Sequence, residues 1–413
     1  MLLQFKFANH RSFADETVFN MTATPIREHR KSLIEQNGVQ ALPVAAFYGA
    51  NASGKSSFFM AFDAMCELVV GSVTRDANER TLIKTHSNPF AFEREYVKKP
   101  TEYEVCIAIE GFEYRYGFDH TGERVLCEYL YKRKLSRSKT VEKVIFERNE
   151  GKVISKANAE LKKEVEYCAS MIVEHSLLMT DLGRRGKIAE FGEIYSWFHN
   201  TVTSFRFGLN FQIEDFFVEK VAGGLFSGEE PFEIELSGNM LNLVNEMDDS
   251  IQAIRSIEKE GDYFLKSVHQ YNGVEIETPF SIESDGTKRL LSLSYYVFVA
   301  LSNGLCCFID ELDLRLHPLL LRKIVHMFKD KEINKKGAQL VFSAHNIINL
   351  DSSDLRRDEV WFVEKNDHKS SIFSLYDYED EDGGEIRSDL DYGKHYLLGR
   401  FGAIPFQERG GIR

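Results

Sequence analysis

A glycine-rich segment followed by lysine and serine is the first place in this sequence where residue types and spacing could do chemistry. It reads VAAFYGANASGKSS from Val44 to Ser57 and contains the pattern G-x-x-x-x-G-K-[ST]. In such a loop backbone N–H groups converge on phosphate oxygens, the lysine neutralises negative charge, and the serine hydroxyl binds Mg²⁺. The residues expected to hold a nucleotide are Gly49, Asn51, Ala52, Ser53, Gly54, Lys55, Ser56 and Ser57, with Ser56 also a metal ligand.

An acidic pair follows a second apolar run and could complete the same site. Leu305 to Ile309 is strand-like and leads into Asp310 and Glu311. At the end of a strand Asp310 could hold Mg²⁺ through water, and Glu311 could polarise the water that attacks a phosphate. The alternative is that the two acids cap a following helix.

Two further segments could face a bound phosphate. Ser284 and Gly286 precede the helical run Lys288 to Leu301, where they either present N–H groups and a hydroxyl to phosphate or simply cap the helix. The apolar run Gln339 to Ser343 delivers His345 to an edge of the sheet. There an imidazole could hydrogen-bond a phosphate or the attacking water, or it could serve the structure alone.

Regular structure on both sides must position the glycine-rich loop. Val44 to Tyr48 has the apolar character of a buried strand, and the helix begins with the apolar residues after Ser57. An ordinary Gly/Ser turn does not require this context. Strand, loop, Lys-Ser pair and helix together therefore favour a phosphate-binding loop over such a turn.

The composition is that of an ordinary folded protein with an excess of acid. The chain has 413 residues, of which 43% are apolar and 28% charged, and its formal net charge is -13. This charge disfavours a protein that coats nucleic acid generally, and it permits only a local basic contact. The six cysteines form no C-x-x-C pair, which indicates buried thiols and a cytoplasmic protein.

We expect neither a signal peptide nor a membrane span. The first residues alternate like a strand and lack the basic and apolar regions of a signal. The apolar stretch from Leu290 to Ile309 has the length of a membrane span, but the turn signal Ser302-Asn303-Gly304 divides it into a helix-like and a strand-like piece.

The order of motifs divides the chain into three regions. Residues 1–127 carry the glycine-rich loop and strand-like runs that predict an antiparallel β layer. Residues 128–279 change character and are interpreted as an inserted region that forms a lid or binds a partner. Residues 280–413 carry the Ser-x-Gly segment, the acidic pair and the histidine.

These motifs, in this order, resemble the P-loop ATPase heads of the ABC, SMC and RecF type. Within that group the chain looks like the AAA-type, OLD-like ATPases of bacterial anti-phage systems. The likeness extends from Asn9-His10-Arg11-Ser12-Phe13 through Asp285-Gly286-Thr287-Lys288-Arg289 and His317-Pro318 to the tail Leu398 to Pro405. It implies an α/β fold, with a mixed sheet core, an antiparallel β layer and an inserted, mostly helical lid domain.

The resemblance also implies roles for individual residues. Ser284 and Gly286 would be the signature motif, Asp313 would belong to the D-loop, and His345 would be the switch histidine. ATP and Mg²⁺ would be the cofactors, and two protomers would enclose two nucleotides in a homodimer or a higher homo-oligomer. The chain departs from the pattern at Asp285, which replaces a signature glycine, and in having no glutamine between Gln40 and Gln212 to serve as a Q-loop.

Other classes fit the spacing less well. A hexameric AAA+ motor has its acidic pair several tens of residues after the loop, whereas Asp310 lies about 255 residues beyond Lys55. A P-loop kinase would show a site for the phosphate acceptor, and a GTPase would show an N-K-x-D segment that reads the base. Neither feature is visible in this sequence. A structural protein with a vestigial site would not need Lys55, Ser56, Asp310 and Glu311 intact.

Two biological roles remain within the resemblance. One is a sensor or scaffold ATPase of anti-phage defence that controls a trans-acting effector, expected to be a nuclease; the alternative is a RecF-like DNA-repair clamp. A fused nuclease is disfavoured because Asp389 and Asp391 lie in a polar segment without flanking strands. A basic run, comprising Lys132, Arg133, Lys134, Arg137 and Lys139 with Arg184, Arg185 and Lys187, could contact DNA or a partner protein or simply be solvated.

Overall fold

A computed structural model describes residues 1–73, 81–136, 138, 140–204, 233–234, 251–259, 262–314, 316–378 and 390–403 of the chain. Within these ranges the strands are β1 (Leu2–Ala8), β2 (Thr17–Asn20), β3 (Ile34–Gln36), β4 (Val39–Ala41), β5 (Val44–Tyr48), β6 (Thr101–Ile109), β7 (Phe112–His120), β8 (Val125–Lys134), β9 (Lys143–Asn149), β10 (Lys152–Ile154), β11 (Val202–Thr203), β12 (Glu233–Ile234), β13 (Ile251–Lys259), β14 (Asp262–Tyr271), β15 (Val274–Pro279), β16 (Cys306–Ile309), β17 (Gln339–Ser343), β18 (Val360–Asn366) and β19 (Lys369–Ser374). The helices of the same ranges are α1 (Lys55–Gly71), α2 (Leu82–Thr85), α3 (Arg94–Lys98), α4 (Ala159–Ala169), α5 (Leu178–Arg185), α6 (Ala189–Asn200), α7 (Asp285–Asn303), α8 (Pro318–Lys329) and α9 (Tyr392–Leu397).

The strand before the glycine-rich loop lies inside a mainly parallel sheet. Among the described strands the order is β11-β16-β17-β5-β18-β19, and only the β18–β19 pair is antiparallel. Strand β17 thus lies between β5, which leads into the loop, and β16, which leads into Asp310. The carboxyl ends of these three strands meet at one edge of the sheet, the place where ligands bind in open α/β sheets.

Both faces of the central part of this sheet are buried, and β5 and β16 accordingly consist of buried apolar residues throughout. Alternate residues of β5 and β16 point to opposite faces. Phe47 and Phe308 belong to the core shared with α1, where the ring of Phe308 stacks on that of Phe62 at 3.6 Å between centroids. Tyr48 and Ile309 belong to the core shared with α7 and α8. Packing on both sides therefore fixes the direction in which the strand ends point.

A second, antiparallel sheet covers α1 from outside. In the described part of the chain its strand order is β10-β9-β8-β7-β6-β1-β2. The ring of Phe5 on β1 meets Phe62 of α1 edge-on, with 5.0 Å between centroids. The predicted fold class, α/β with an antiparallel β layer beside the nucleotide strand, is confirmed. Residue 127, the predicted end of the first region, lies within β8, so this sheet continues across that division.

The described part of residues 128–279 contains more strand than we expected for a mostly helical lid. It includes helices α4, α5 and α6, and also the antiparallel sheet β12-β13-β14-β15. The segments of β13 to β15 are rich in β-branched residues, among them Ile251, Val268, Val274 and Ile276, which favour extended backbone. The three-region division of the chain itself stays a prediction.

A buried ion pair ties this inserted region to the antiparallel sheet. The carboxylate of Glu128 on β8 accepts hydrogen bonds from the backbone N–H groups of Leu178 (2.7 Å) and Met179 (2.9 Å) at the start of α5. Arg148 approaches the same carboxylate at 3.5 Å and donates to the carbonyl of Ser176 at 2.6 Å. Burial raises the pKa of Glu128, and these partners oppose that shift.

One buried glutamine joins three segments that are remote in sequence. The side-chain oxygen of Gln339 accepts from the N–H of Leu2 at 2.5 Å. Its side-chain nitrogen donates to the carbonyls of Leu2 at 3.0 Å and Leu42 at 3.1 Å. The first strand of the chain is thereby attached to the start of β17.

The long apolar stretch that could suggest a membrane span is divided as predicted. Helix α7 ends at Asn303, Gly304 caps it in the left-handed conformation with φ of 69°, and β16 begins at Cys306. Among the described helices, none has both the length and the apolar content that a membrane crossing would need.

Candidate functional site

The glycine-rich loop connects β5 to α1 in a conformation that side chains would obstruct. Gly54, the residue before α1, has φ of 118°, and a Cβ atom there would collide with the hydroxyl of Ser370 on β19. A Cβ atom at Gly49 would collide with the carbonyl oxygen of Val363 on β18. The loop therefore lies directly against the β18–β19 pair, and its backbone can turn its N–H groups toward an anion only with glycine at these places.

Lys55 begins α1 and folds back over the loop. Its ammonium donates to the carbonyls of Gly49 at 2.7 Å and Ala50 at 3.1 Å. Burial lowers the pKa of Lys55, while the nearby carboxylates of Asp310, Glu311 and, further, Asp313 raise it. A cation held by neutral carbonyls at a helix N-terminus keeps charge available for a phosphate.

A buried polar atom without a described partner also marks the loop. The hydroxyl of Ser53 is buried and has no hydrogen-bond partner within the described structure. Its neighbour in space, Ser370, donates to the carbonyl oxygen of Ser53 at 2.6 Å and so fixes the backbone at this point. An unsatisfied buried hydroxyl beside an anion-binding loop fits a group that accepts hydrogen bonds, as phosphate oxygens do.

Asp310 lies at the end of β16 and meets the serine of the loop. Its carboxylate accepts a hydrogen bond from the hydroxyl of Ser343 at 2.5 Å. Its backbone N–H donates to the hydroxyl of Ser204 at 3.0 Å. Burial raises the pKa of Asp310, and the Ser343 and Ser56 side chains, both close to its carboxylate, lower it.

This arrangement has the oxygen donors that Mg²⁺ takes beside a phosphate. The Ser56 hydroxyl lies near the Asp310 carboxylate. Mg²⁺ is usually held by one or two carboxylates together with water and substrate phosphates. No group of three or more His, Cys, Asp or Glu side chains suited to a metal occurs in the described part of the chain, so a site built by protein alone is not found there. Ser56 and Asp310 thus fit a metal that phosphate helps to hold.

Glu311 follows Asp310 in a backbone conformation that is uncommon for a residue with a Cβ atom. Its φ is 51°. Its N–H donates to the hydroxyl of Ser343 at 2.7 Å, and its carbonyl accepts from Nη2 of Arg289 at 2.6 Å. Its carboxylate lies 3.5 Å from Nε2 of His345, and both side chains are partly exposed, at 39% and 43%. A fixed backbone with an accessible carboxylate suits a group that must contact water.

Asp313 joins the segment after β16 to the segment after β17. One of its carboxylate oxygens accepts from the backbone N–H groups of His345 at 2.8 Å and Asn346 at 2.7 Å. Asp313 thereby fixes the position of the His345 backbone relative to the segment that carries Glu311. The structure thus brings together Lys55, Ser56, Asp310, Glu311 and His345 at one edge of the sheet.

Ser284 and Gly286 lie at the N-terminus of the 19-residue helix α7. The hydroxyl of Ser284 accepts from the N–H of Thr287 at 3.1 Å, which is the geometry of a helix cap. No described hydrogen bond or ion pair joins Ser284 or Gly286 to the glycine-rich loop of the same chain. Their role toward a phosphate stays a prediction, and within one protomer they serve as a helix start.

Three site residues could not be identified from the sequence. Ser343 bridges Asp310 and Glu311, Ser204 holds the backbone of Asp310, and Arg289 holds that of Glu311. The only available signal was that Ser343 ends a strand expected to neighbour the acidic pair. Arg289 and Ser204 become neighbours of the pair only through the fold.

Three of the six described residues of the basic run are paired with acids. Lys132 pairs with Glu190 at 3.0 Å, and Arg133 pairs with Glu113 at 2.6 Å. Arg185 contacts Glu164 at 2.7 Å. Arg137 and Lys139 lie outside the described residues. These ion pairs reduce the positive charge that this surface could offer to DNA.

The fold and this cluster define a class of protein: an ABC/SMC-like P-loop ATPase head, with the strand of the histidine between the strands of the loop and of the acidic pair. More specifically, the chain belongs to the family described as "AAA domain, putative AbiEii toxin, Type IV TA system", whose model matches residues 44–160 and 187–352. A comparison with curated proteins finds no match.

Solved structures similar to this chain include three SMC heads. One is the SMC head bound to the C-winged helix domain of ScpA, with a TM-score of 0.43, 14% identity, and coverage of 90% of this chain and 97% of that chain. Another is the SMC head domain from Thermotoga maritima, with a TM-score of 0.40, 14% identity, and coverage of 90% and 98%. A third is the Smc head domain with an extended coiled coil bound to the C-terminal domain of ScpA derived from Pyrococcus furiosus, with a TM-score of 0.41, 12% identity, and coverage of 90% and 96%.

Proposed function

We propose that this chain binds ATP with Mg²⁺ and hydrolyses ATP to ADP and phosphate. The observation that carries the proposal is the parallel strand order β16-β17-β5, which brings the acidic pair after β16 and the glycine-rich loop after β5 to the same edge of the sheet, on either side of β17. Lys55 and the backbone N–H groups from Asn51 to Ser57 would bind the phosphates, and Ser56 and Asp310 would hold the metal. When bound, Mg²⁺ supplies neutralisation of charge on the phosphate oxygens.

Glu311 is the residue we assign to activate water. Its backbone is fixed by Ser343 and Arg289, and its carboxylate faces solvent beside His345, which would hydrogen-bond the γ-phosphate or the water. A carboxylate in this place accepts a proton from water or orients it, whereas a carboxamide keeps the shape and loses the charge.

The test is Glu311→Gln, with ATP binding and ATP turnover measured separately. Binding should be retained, and turnover should fall by ~10²–10⁴-fold, the usual range for removing a positioned acid or base. Glu332→Gln changes an exposed glutamate in the loop after α8 and is the matched control. Equal turnover in Glu311→Gln and the parent protein would remove Glu311 from this role.

We further propose that ATP joins two copies of the chain through the N-terminus of α7. Ser284 and Asp285 are exposed, and the N–H groups of the first turn carry the positive end of the helix dipole. Ser284 and Gly286 of one copy would close on the γ-phosphate bound by the other copy. Sedimentation of Glu311→Gln with ATP and Mg²⁺ should show a dimer or a higher assembly, and Ser284→Arg should abolish it. Monomer alone under these conditions would contradict the proposal.

The biological role that we propose is that of a sensor or scaffold in anti-phage defence, which controls an effector encoded nearby. The family description, which names a toxin of a toxin–antitoxin system, supports a role in such paired systems. The ion pairs of the described basic residues favour this reading over the alternative, a RecF-like DNA clamp. Co-purification of a neighbouring gene product and protection in phage challenge are expected; salt-sensitive DNA binding without either would favour the clamp.

A further inference from the structure

Arg289 is a buried arginine that connects helix α7 to the peptide of Glu311. Its side chain is only 6% exposed, and Nη2 donates to the carbonyl oxygen of Glu311 at 2.6 Å. Burial of a guanidinium is costly unless hydrogen bonds and charges replace the water it loses. The contact with Glu311 is therefore part of what holds this arginine inside the protein.

The carbonyl that Arg289 contacts belongs to Glu311, whose backbone conformation is uncommon for a residue with a Cβ atom. Glu311 has φ of 51°, a conformation that costs energy for a residue with a Cβ atom and persists only where its surroundings enforce it. Its N–H is held by Ser343 and its carbonyl by Arg289, at 2.7 and 2.6 Å. Loss of either partner leaves the backbone freer to relax and to carry the carboxylate away from His345.

The same arginine lies close to the start of α7. Helix α7 begins at Asp285, so Arg289 is four residues further along, or about 6 Å at 1.5 Å per residue. The Ser284 hydroxyl caps this turn by accepting from the N–H of Thr287, which stabilises the first turn of the helix. A displacement of the N-terminus of α7 can therefore be transmitted to the carbonyl of Glu311 through one helical turn and the Arg289 side chain.

We propose that Arg289 is a positioning residue that couples the N-terminal turn of α7 to Glu311 of the same chain. This rests on the proposed function, in which Glu311 activates water and the α7 N-terminus closes on the nucleotide of a second copy. When the α7 N-terminus of one chain closes on the nucleotide of the second copy, Arg289 fixes the position of the Glu311 backbone in the first chain. The two sites of an assembly therefore hydrolyse ATP cooperatively. In this proposal Arg289 acts only through Glu311.

The test compares Arg289→Ala and Arg289→Lys with the parent protein and with Arg322→Ala. Arg322 pairs with Asp354 at 2.6 Å and serves as an arginine control on α8. We expect Arg289→Ala to lower kcat by ~10–100-fold, the range found for residues that support a functional group, with the Kd for ATP changed less than twofold. Arg289→Lys keeps one donor and should retain part of the activity, and it replaces Arg289→Ala if that variant does not fold.

Two further readouts separate coupling from a purely structural role. In the Glu311→Gln background, Arg289→Ala or Arg289→Lys should cause no additional loss of turnover, because the group it positions is already removed. The Hill coefficient for ATP should fall toward one in the Arg289 variants. Losses that add fully to that of Glu311→Gln, or a weakened ATP affinity with unchanged kcat, would overturn the proposal.

The failure of this proposal is distinguishable from the failure of the proposed function. A parent protein without ATP turnover would end both. A parent protein that hydrolyses ATP, a Glu311→Gln variant that does not, and Arg289 variants equal to the parent would end only the coupling.

Discussion

Replacement of Ser343 by alanine is the sharpest perturbation that the site offers. The hydroxyl donates to the carboxylate of Asp310 at 2.5 Å and accepts from the N–H of Glu311 at 2.7 Å, and Ser343 is fully buried. An unsatisfied buried N–H costs about 1–3 kcal/mol, and a hydrogen bond to a charged group contributes about 1.5–3 kcal/mol. Because one atom makes both bonds and their energies are not additive, we expect a loss of about 2–4 kcal/mol in the free energy of unfolding.

The effect on turnover should depend on pH. Burial raises the pKa of Asp310 and the Ser343 hydrogen bond lowers it, so Ser343→Ala should raise it further. A metal ligand must be ionised, and a raised pKa leaves less carboxylate at low pH. We therefore expect kcat to fall by ~10–100-fold, as for other partners of metal ligands, with the larger loss toward the acidic end of the pH profile.

The assay is ATP turnover with saturating Mg²⁺ between pH 6.5 and 8.5, together with urea unfolding. Ser294→Ala is the control, because Ser294 is also a buried serine but donates only to the carbonyl of Leu290 within α7, at 2.7 Å. A Ser343→Ala variant with the pH profile of the parent protein would refute the assigned link between Ser343 and Asp310, whatever its stability.

Three other changes test separate parts of the structure. Lys55→Ala should abolish ATP binding in a titration, because the ammonium above the loop is the cation expected to meet the phosphates. Arg148→Ala should lower the free energy of unfolding by about 3–5 kcal/mol, since it leaves the buried carboxylate of Glu128 without its charged partner. Burial and then Glu102 raise the pKa of Asp119 to about 7, so the folded protein holds this proton more tightly than the unfolded chain does and loses stability as pH rises from about 4 to about 7. Asp119→Asn should therefore raise the free energy of unfolding at pH 8, by about 1–2 kcal/mol after allowance for partial exposure, and change it little at pH 4, as urea unfolding at both values can show.

The parts of the site that local sequence determines were predictable. The glycine-rich loop needs a strand before it and a helix after it, and both are visible as apolar runs that flank Gly49 and Lys55. Asp310 and Glu311 were identifiable because a buried strand, β16, precedes them directly. The antiparallel β layer likewise follows from strand-like runs, and the split of the apolar stretch at Gly304 follows from a turn signal.

What escaped prediction depends on contacts between distant segments. Ser343 and Arg289 reach Glu311 only after β17 and α7 have packed on the parallel sheet, and their residue types carry no sign of it. The strand content of residues 128–279 was underestimated because helical periodicity is visible in the sequence of α4 and α6, whereas apolar and polar residues alternate irregularly in β13 and β14. Likewise, the ion pairs of Lys132 and Arg133 are made with acids that the sequence does not place beside them.

Gln339, whose side chain joins Leu2 and Leu42 to the start of β17, has a consequence for folding during synthesis on the ribosome. The first strand and the strand of the glycine-rich loop emerge early, but the neighbour that both require, β17, is made some three hundred residues later. Until then β5 lacks its pairing partner β17, and the face of β5 that packs against α7 and α8 has no cover. Contacts of such long sequence separation close slowly. Nascent chains halted before Gln339 should be protease-sensitive through β5, and those that extend past β17 and β18 should become resistant there.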